Sequence, residues 1–558
     1  MKSVGAARGL PDAGHRCDAP AQWGEDRKLG GNHPGDPDTM ATTRRITLWL
    51  GVAAAFLHPA LLGMPLRGAM AADGRPPNIL FIFADDLTCQ ALSTYGEARH
   101  LLDTPHIDRL AREGMRFDRC LVTNSICGPS RATILTGKYS HKNGFYNNAN
   151  CRFDPDQPTF PKMLRAAGWQ TAMIGKWHLG SDPTGFDHWQ ILPGQGIYYN
   201  PPMITAAGKA IERGYVTDVI TDRSIEWLRQ RDPDRPFLLM CQHKAPHREW
   251  SPAIRHLGWD GDREHPEPAT LFDDFAGRSQ AVADHDMGLD RTFTALDAKF
   301  DTPPGIDGDD LVAWNAFYAP RNAAFAADPP QGKDLVRWRY QRYMHDYLAC
   351  VKAIDESVGR LLDELDREGI ADETVVVLSS DQGFFLGEHG WFDKRWIFEE
   401  SVRTPLIVRA PGLTRPGSRC DRIVSLIDFA PTFLTLAGCP VPPDMQGRAL
   451  QPLLAGHAAG DWRKSLYYHY YEFPEPHHVR PHRGVITDRY KLVHYEGDLD
   501  EWELLDREVD PAETRSFHDD PAHADALREL HAELERLIDE VDDRGPVPRE
   551  AFGNAPLE

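Results

Sequence analysis

Continuous apolar runs constrain the fold of this chain more than any other feature. Residues 78–84 read Asn-Ile-Leu-Phe-Ile-Phe-Ala, without alternation between apolar and polar positions. Such a run is typical of a strand that is buried on both faces, as in the parallel sheets of α/β proteins. Residues 168–175, 236–242 and 374–379 read as further strands of the same sheet. The chain is therefore predicted to be an α/β protein with a large, mostly parallel sheet.

Polar side chains follow these apolar runs directly. In chain order they are Asp85 with Asp86, Lys176 with His178, His243, and Asp381 with Gln382. Ligands bind at the carboxyl ends of parallel strands, so these groups are candidates for one site. Adjacent carboxylates such as Asp85 and Asp86 repel each other at a buried strand end unless a cation lies nearby. A hard divalent cation is one explanation, and a simple turn, in which Asp is common, is the other.

Residues 125–138 predict the start of a helix that carries a cysteine. Pro129 suits the first turn, because its missing N–H would have no partner there, and Gly137 can end the helix. Cys127 then lies near a helix N-terminus, where the dipole is expected to lower the pKa of a thiol. Arg131, one turn later, is expected to point at the same place. The alternative is a buried structural cysteine.

The order Cys127-x-Pro129-Ser130-Arg131, followed by Leu-Thr-Gly and a basic residue, resembles the signature of the type I sulfatases. The resemblance implies an alkaline-phosphatase-like sandwich, in which helices flank the central sheet, and a small C-terminal α+β subdomain with an antiparallel sheet. It implies hydrolysis of sulfate esters, with Cys127 oxidised to formylglycine (3-oxoalanine) by a formylglycine-generating enzyme. Hydrated formylglycine would offer one hydroxyl to attack sulfur and a second to expel the sulfate afterwards.

The resemblance also implies a role for each site residue. One Ca²⁺ would be held by Asp85, Asp86, Asp381 and Gln382, which offer only oxygen donors. The implied catalytic residues are Cys127, Arg131, Lys176, His178, His243 and Lys394. Lys176, His243 and Lys394 would bind the sulfate, Lys394 or His243 would protonate the leaving oxygen, and His178 would accept a proton from the second hydroxyl. Further candidates for substrate contact are His247, His389, His478 and His482.

The substrate is narrowed by two shorter stretches. Residues 138–144 and 393–396 are most similar to bacterial mucin-desulfating enzymes and N-acetylglucosamine-6-sulfatases. We therefore expect a 6-O-sulfate on N-acetylglucosamine or a related sulfated sugar of mucin or glycosaminoglycan. Three alternatives stay open: iduronate-2-sulfate or another sulfated glycan, a phosphate or phosphonate monoester hydrolase of the same fold, and a non-catalytic glycan-binding homologue.

The charge of the chain excludes one class of partner. The 558 residues carry a formal net charge of -21, which argues against nucleic acid. A sulfated substrate is also repelled at long range, so local Arg, Lys and His must overcome that field inside the cleft. The 9 cysteines show no paired spacing of the kind that binds metal, and most are expected to be buried thiols.

The N-terminus predicts export. Residues 1–39 are polar and aperiodic, and they are interpreted as disordered or as an upstream false start. Residues 40–71 read as a signal peptide: paired arginines, an apolar run and small residues before the cleavage site. We expect a periplasmic or secreted protein without a stable membrane anchor. The arginine pair suggests twin-arginine export, but the motif is weak.

Composition divides the rest of the chain. Residues 72–439 are predicted to be the catalytic domain, and about 251–332 to be an insertion of loops and short helices. Prolines from 440 onward indicate a linker into the C-terminal subdomain, residues 440–545, which is followed by a tail at 546–558. The tyrosine and aliphatic spacing of residues 340–365 predicts a long amphipathic helix.

Overall fold

A computed structural model of the protein describes residues 75–149, 151–457, 460–474, 476–545, 547–548 and 551. The predicted disordered start, the signal peptide and most of the predicted tail lie outside these residues. The strands of the described part are β1 (Asn78–Ala84), β2 (Met115–Leu121), β3 (Gln170–Lys176), β4 (His188–Leu192), β5 (Pro202–Thr205), β6 (Gly208–Ile211), β7 (Phe237–Gln242), β8 (Thr374–Ser380), β9 (Phe385–Leu386), β10 (Phe392–Asp393), β11 (Arg403–Arg409), β12 (Ser418–Cys420), β13 (Val424–Ser425), β14 (Ser465–Tyr470), β15 (His482–Thr487), β16 (Tyr490–Tyr495) and β17 (Glu501–Asp506). The α-helices are α1 (Pro105–Glu113), α2 (Cys127–Thr136), α3 (Ser140–Asn143), α4 (Phe160–Ala166), α5 (Val216–Gln230), α6 (Gln280–Ala283), α7 (Gly308–Ala327), α8 (Lys333–Arg367), α9 (Glu399–Val402), α10 (Phe429–Leu436), α11 (Gln451–Leu454) and α12 (Ala524–Val541).

The predicted apolar runs form the centre of one large sheet. Its order is β12-β2-β11-β8-β1-β7-β3-β4-β5-β6, and β13 also pairs with β2. Strands β8, β1, β7 and β3 are adjacent and parallel, whereas β11 is antiparallel to both of its neighbours. The predicted α/β class and the mostly parallel centre of the sheet are therefore confirmed. Four strands end at the same edge, where their polar side chains meet.

Helices cover both faces of the sheet. Alternate residues of β1 point to opposite faces, and since both sets are apolar, each face must be buried. Ile79, Phe81 and Phe83 pack into a core that includes α2 and α10. Leu80 and Ile82 pack into a second core that includes α5 and α8. Burial of each such side chain contributes roughly 1.5–3 kcal/mol. The predicted sandwich of helices around a central sheet is confirmed.

The C-terminal residues form the predicted subdomain. Strands β14, β15, β16 and β17 make an antiparallel sheet in that order, and α12 packs against it. Tyr139 and Ile427, which precede this subdomain in sequence, share its apolar cluster. Within the described residues, no helix combines the length and the apolar character needed to cross a membrane.

The insertion is more ordered than the sequence predicts. Helix α7 has 20 residues, whereas only loops and short helices were expected at about 251–332. The prediction was wrong because Pro320 lies inside the helix and only Trp314 and Tyr318 are buried, so the apolar periodicity is weak. Trp314 packs on Tyr199, and the Tyr318 hydroxyl donates to Asp346 Oδ1 at 2.6 Å, so neighbouring elements hold this helix in place.

A buried ion pair joins the insertion to the C-terminal sheet. Arg278 Nε and Nη2 donate to the two carboxylate oxygens of Glu503 at 2.9 and 2.8 Å, and both side chains are at most 1% exposed. Glu503→Gln leaves the guanidinium without its charge partner, and we expect a loss of about 3 kcal/mol in the free energy of unfolding. Thermal unfolding measures this. Asp262→Asn, which breaks an exposed pair with Arg321, is the control and should change stability little.

Candidate active site

Three aspartates meet where the central strands end. Asp85 and Asp86 follow β1, and Asp381 follows the adjacent β8. One carboxylate oxygen from each lies within 4.8 Å of the others, and all three side chains are fully buried. The Asp86 backbone N–H donates to Asp381 Oδ1 at 3.0 Å, which fixes the two strand ends relative to each other. The strand order therefore brings together residues that are almost 300 positions apart in the sequence.

Cationic side chains surround the three aspartates. Lys176, the last residue of β3, contacts Asp85, and Lys394 Nζ lies 2.7 Å from Asp86 Oδ2. Arg131 Nη2 lies 3.1 Å from Asp381 Oδ2. Burial and the neighbouring Asp85 nevertheless raise the pKa of Asp381 well above its usual value. Burial also raises the pKa of Asp86 to about 6, despite the nearby Lys394. The neighbouring cations therefore do not fully offset the effect of burial on Asp86 and Asp381.

Gln382 adds an unused acceptor to this cluster. Its Nε2 contacts Asp86 Oδ1 and lies 3.7 Å from Cys127 Sγ. Its Oε1 is buried and has no hydrogen-bond partner among the residues that the structure describes. A buried acceptor without a partner costs free energy, so its presence beside three carboxylates needs an explanation. Together these four side chains offer oxygen donors only, a set suited to a hard divalent cation.

Cys127 is the first residue of α2. Asn148 Oδ1 accepts from the Gly128 N–H at 3.0 Å near the start of this helix, and Gly137, at φ +64°, ends it. Burial and the nearby Asp85 raise the pKa of the Cys127 thiol. The predicted lowering by the helix dipole was wrong, because loss of hydration outweighs the dipole at a fully buried thiol beside carboxylates.

Arg131 lies one turn after Cys127 and reaches the edge of the sheet, as expected. Besides Asp381, its Nη1 donates to the Lys176 carbonyl at 2.8 Å and to Gln242 Oε1 at 2.9 Å. Gln242 ends β7, and the sequence analysis did not select it. The guanidinium thus connects three strand ends to the helix that carries the cysteine.

His178 lies next to Lys176 in this group. It adopts φ +54°, and its Nδ1 is buried and has no hydrogen-bond partner in the described part of the chain. Burial, followed by the charge of Lys176, lowers the pKa of His178 well below its usual value. A neutral imidazole with a free nitrogen can accept a proton, which is the role that the family resemblance implies.

The structure places His243 away from the aspartates. Its Nε2 lies 3.0 Å from Ser357 Oγ on α8 and 3.7 Å from Cys241 Sγ. Burial lowers the pKa of His243 to about 3. The prediction that His243 binds the sulfate or protonates the leaving group was wrong, because the ring lies on the face of β7 that packs against α8.

His247 takes the position predicted for His243. Its Nε2 lies 3.9 Å from Asp86 Oδ2. One ring nitrogen of His247, one oxygen of Asp85 and Cys127 Sγ all lie within 4.8 Å of one another. The chain turns back over β1 after β7, where the Asp85 N–H donates to the Ala245 carbonyl at 3.2 Å, and this turn directs His247 to the site.

Lys394 lies in the site with two neighbours that the sequence analysis did not select. Asp393 Oδ1 forms an ion pair with Arg395 Nη1 at 2.7 Å, and Asp393 Oδ2 lies 2.8 Å from His477 Nε2. Arg395 is buried, and none of the described residues accepts a hydrogen bond from its Nε. The signal was present in the sequence as the run 393–396, but only Lys394 was assigned a role from it.

The other histidine candidates lie elsewhere. His389 Nδ1 is 2.7 Å from Asp273 Oδ2, and its buried ring packs on Trp391, so its predicted substrate contact stays a prediction. His482 is fully buried, its Nδ1 lies 2.7 Å from the Arg480 carbonyl, and its substrate contact likewise stays a prediction. His478 lies at the surface with Asp284 at 3.6 Å, and its role stays a prediction.

The mixed sheet, the carboxylate cluster at its parallel strand ends and the cysteine at the start of α2 together have the architecture of the alkaline-phosphatase-like fold. The chain matches the sulfatase family over residues 77–439 and the C-terminal part of N-sulphoglucosamine sulphohydrolase over residues 387–540. The chain thus belongs to the sulfatase family and is a sulfuric ester hydrolase.

Named relatives agree with this assignment. The chain is 45% identical over 522 residues to an N-acetylglucosamine-6-O-sulfatase of Bacteroides thetaiotaomicron, covering 88% of this chain and 93% of the relative. It is 28% identical to human N-acetylglucosamine-6-sulfatase, covering 74% of this chain and 71% of the relative. A solved structure of BT4656 with its substrate D-glucosamine-2-N,6-O-disulfate superposes with a TM-score of 0.82 at 47% identity, covering 85% of this chain and 99% of that one. A phosphonate monoester hydrolase from Silicibacter pomeroyi shares the fold at 23% identity and a TM-score of 0.65, covering 84% of this chain and 96% of that one.

The two histidines after β7 give a matched test of the site. We expect His247→Gln to lower kcat for sulfate release roughly 10²- to 10³-fold, because it removes a titratable group beside Cys127. His243→Gln should retain kcat within about threefold, since Gln can still bond to Ser357. Steady-state kinetics on both variants checks this. Equal losses, or a larger loss in His243→Gln, would return the catalytic role to His243.

Proposed function

We propose that this sulfatase hydrolyses 6-O-sulfate esters on N-acetylglucosamine or a related glucosamine of mucin or glycosaminoglycan. The named relatives support this sugar class: one is called an N-acetylglucosamine-6-O-sulfatase, and the other was solved with a 6-O-sulfated glucosamine. The observation that carries the chemistry is the placement of Cys127 Sγ within 4.8 Å of Asp85 and His247, at the edge of the three-aspartate cluster. We propose that Cys127 is oxidised to formylglycine by a formylglycine-generating enzyme.

The residues fit a bound Ca²⁺. Asp85, Asp86 and Asp381 would hold it together with Gln382 Oε1, which is buried and has no hydrogen-bond partner among the described residues. When bound, Ca²⁺ would offset the charge of a sulfate oxygen and favour the ionised form of the attacking hydroxyl. Cys127, once oxidised to formylglycine, would supply that hydroxyl from its hydrate and a second hydroxyl that allows sulfate to leave. Water is consumed overall, and alcohol and sulfate are released.

The chain's own residues carry out the remaining steps. Lys176 and Lys394 lie beside Asp85 and Asp86, where their ammonium groups offset the charge on the sulfate oxygens. Arg131 holds the helix start against Asp381. His247 faces Cys127, and when its ring is protonated at both nitrogens it would donate the Nε2 proton to the leaving sugar oxygen. The neutral His178 would accept a proton from the second hydroxyl.

A second group of polar side chains suits the sugar. Despite burial, the charges of Asp393 and Glu472 help to raise the pKa of Arg395, and Glu472 accepts from the Asn148 N–H at 2.6 Å. The free Nε of Arg395 offers a hydrogen-bond donor for a hydroxyl of the ring. We propose that these residues read the sugar while the aspartate cluster holds the sulfate. A periplasmic or secreted location, from the predicted leader at 40–71, is part of the same proposal.

Sulfate release from a panel of desalted substrates tests the proposal. We would compare N-acetylglucosamine-6-sulfate and D-glucosamine-2-N,6-O-disulfate with a 2-O-sulfated iduronate disaccharide, a phosphate monoester and a phosphonate monoester. Free sulfate and phosphate are measured by ion chromatography, with Cys127→Ala as the blank. Turnover of the 6-O-sulfates at least about tenfold above the other substrates is expected. A preference for the iduronate sulfate would overturn the sugar, and a preference for either phosphorus ester would overturn the sulfate assignment.

A further inference from the structure

The ring of His247 is held in one tautomer. Its Nδ1 lies 2.5 Å from the carbonyl oxygen of the next residue, Arg248. A carbonyl oxygen can only accept, so Nδ1 must carry the hydrogen. The other nitrogen, Nε2, is the one directed to Asp86. A single backbone carbonyl therefore determines which nitrogen of His247 faces the site, as happens for other functional histidines.

The Arg248 carbonyl is itself held from two sides. Lys244 Nζ, a buried ammonium over the Tyr198 ring, donates to it at 3.3 Å. The Arg248 side chain runs the other way, where Nε and Nη2 donate to the two oxygens of Asp297 at 2.9 and 2.6 Å. Nη2 also donates to the Thr292 carbonyl at 2.8 Å. Such a bidentate pair fixes the plane of the guanidinium and restrains the backbone that bears it.

Asp297 belongs to the insertion, 49 residues after Arg248. It is fully buried, and Thr294 donates to Oδ2 from both its N–H, at 2.8 Å, and its hydroxyl, at 2.7 Å. Lys299, two residues later, donates to the Glu249 carbonyl at 2.8 Å. The insertion thus binds two successive residues after His247, namely Arg248 and Glu249. Four hydrogen-bond donors hold the buried Asp297 carboxylate in place, so it is a rigid anchor.

We propose that Asp297 is a positioning residue for the sulfatase reaction. Through Arg248 it fixes the carbonyl that orients His247, so that Nε2 points at the reacting group. This gives the insertion a role in the rate of the reaction that is separate from any contact with substrate. The inference rests on the proposed role of His247, and Asp297 itself touches neither Cys127 nor the aspartate cluster in the described contacts.

A double-mutant cycle tests whether Asp297 acts through His247. We expect Asp297→Asn to lower kcat on N-acetylglucosamine-6-sulfate roughly 10- to 100-fold, with KM unchanged within about twofold. In the His247→Gln background the same change should lower kcat less than about twofold, because the residue that it orients is already gone. Arg248→Lys, which keeps a charge for the buried carboxylate but loses the bidentate geometry, should show a smaller loss with the same non-additivity.

Glu503→Gln is the matched control, since it breaks a comparable buried bidentate pair made by the insertion. It should lower the melting temperature and leave kcat unchanged in both backgrounds. Asp297→Asn with wild-type kcat, or with the same fold loss in both backgrounds, would overturn the positioning role. If Asp297→Asn does not fold, Arg248→Lys decides by the same criterion. A wild type that hydrolyses a different sulfated sugar would overturn the proposed substrate only, and the cycle would then be measured on that sugar.

Discussion

Cys127→Ala is expected to lower kcat for sulfate release by roughly 10⁴-fold or more, because the side chain that becomes the nucleophile is lost. The fold should survive. The thiol has one hydrogen-bond contact among the described residues, from Gln382 Nε2 at 3.7 Å, and Ala suits the first turn of a helix. We expect the melting temperature to fall by a few degrees at most, as for loss of one buried sulfur atom.

Inactivity can come from loss of the Cys127 side chain or from failure to oxidise it. Mass spectrometry of the tryptic peptide 120–131 distinguishes these two causes. Active wild type should carry the aldehyde at residue 127, and enzyme made without a maturation enzyme should carry the thiol and be inactive. Substantial activity in Cys127→Ala, or full activity of a preparation with only the thiol, would remove Cys127 from the mechanism. His243→Gln, made under the same conditions, controls for the effect of substitution near the sheet edge.

The centre of the fold could be predicted because its signal is local. After Asn78, residues 79–84 include no polar side chain, as suits a strand that is buried on both faces, and the run forms β1. Asp85, Asp86, Lys176 and Asp381 could be placed together because parallel strands end at one edge. Each of these inferences needs only the strands themselves and their direction.

The histidine after β7 could not be chosen in the same way. Alternation along the strand puts His243 on the same face as Cys241, against α8, but the sequence does not say which face of β7 is next to the nucleophile. The turn that brings His247 back over β1 depends on a contact between Asp85 and Ala245. Such contacts join distant parts of the chain, and periodicity does not report them.

The direction of the Cys127 pKa shift and the ion pair between Arg248 and Asp297 could not be predicted from the sequence for a related reason. A helix N-terminus predicts a lowered pKa for Cys127, but burial depends on everything packed around it. No sequence pattern distinguishes Asp297 from the other acidic residues of the insertion, and only its contact with Arg248 in the folded protein does so. In the same way, the charge of Glu472, a residue of the C-terminal subdomain, acts on Arg395 only in the folded protein.

Removal of calcium is expected to lower both activity and stability of the wild type. Three buried carboxylates and Gln382 Oε1 lie close together, and none of the described residues donates a hydrogen bond to Oε1, so a bound cation would relieve their mutual repulsion. A ligand that binds only the folded state at 100 times its Kd stabilises it by about 2.7 kcal/mol. EDTA treatment should therefore lower the melting temperature and abolish sulfate release, and Ca²⁺ should restore both.

Asp381→Asn tests calcium binding more directly, because its expected effect on stability differs with and without calcium. The variant loses a charged ligand, so its melting temperature should no longer rise with Ca²⁺, its calcium content should fall below that of wild type, and kcat should drop by roughly 10³-fold. Without calcium, however, it should be as stable as the calcium-free wild type or more so. The raised pKa of Asp381 reflects burial and repulsion by Asp85, which a neutral amide avoids. Asp262→Asn, at an exposed acid, should keep the calcium response. Unchanged calcium content in Asp381→Asn would take this residue out of the ligand set, and lower stability without calcium would show that its pairing with Arg131 outweighs the repulsion.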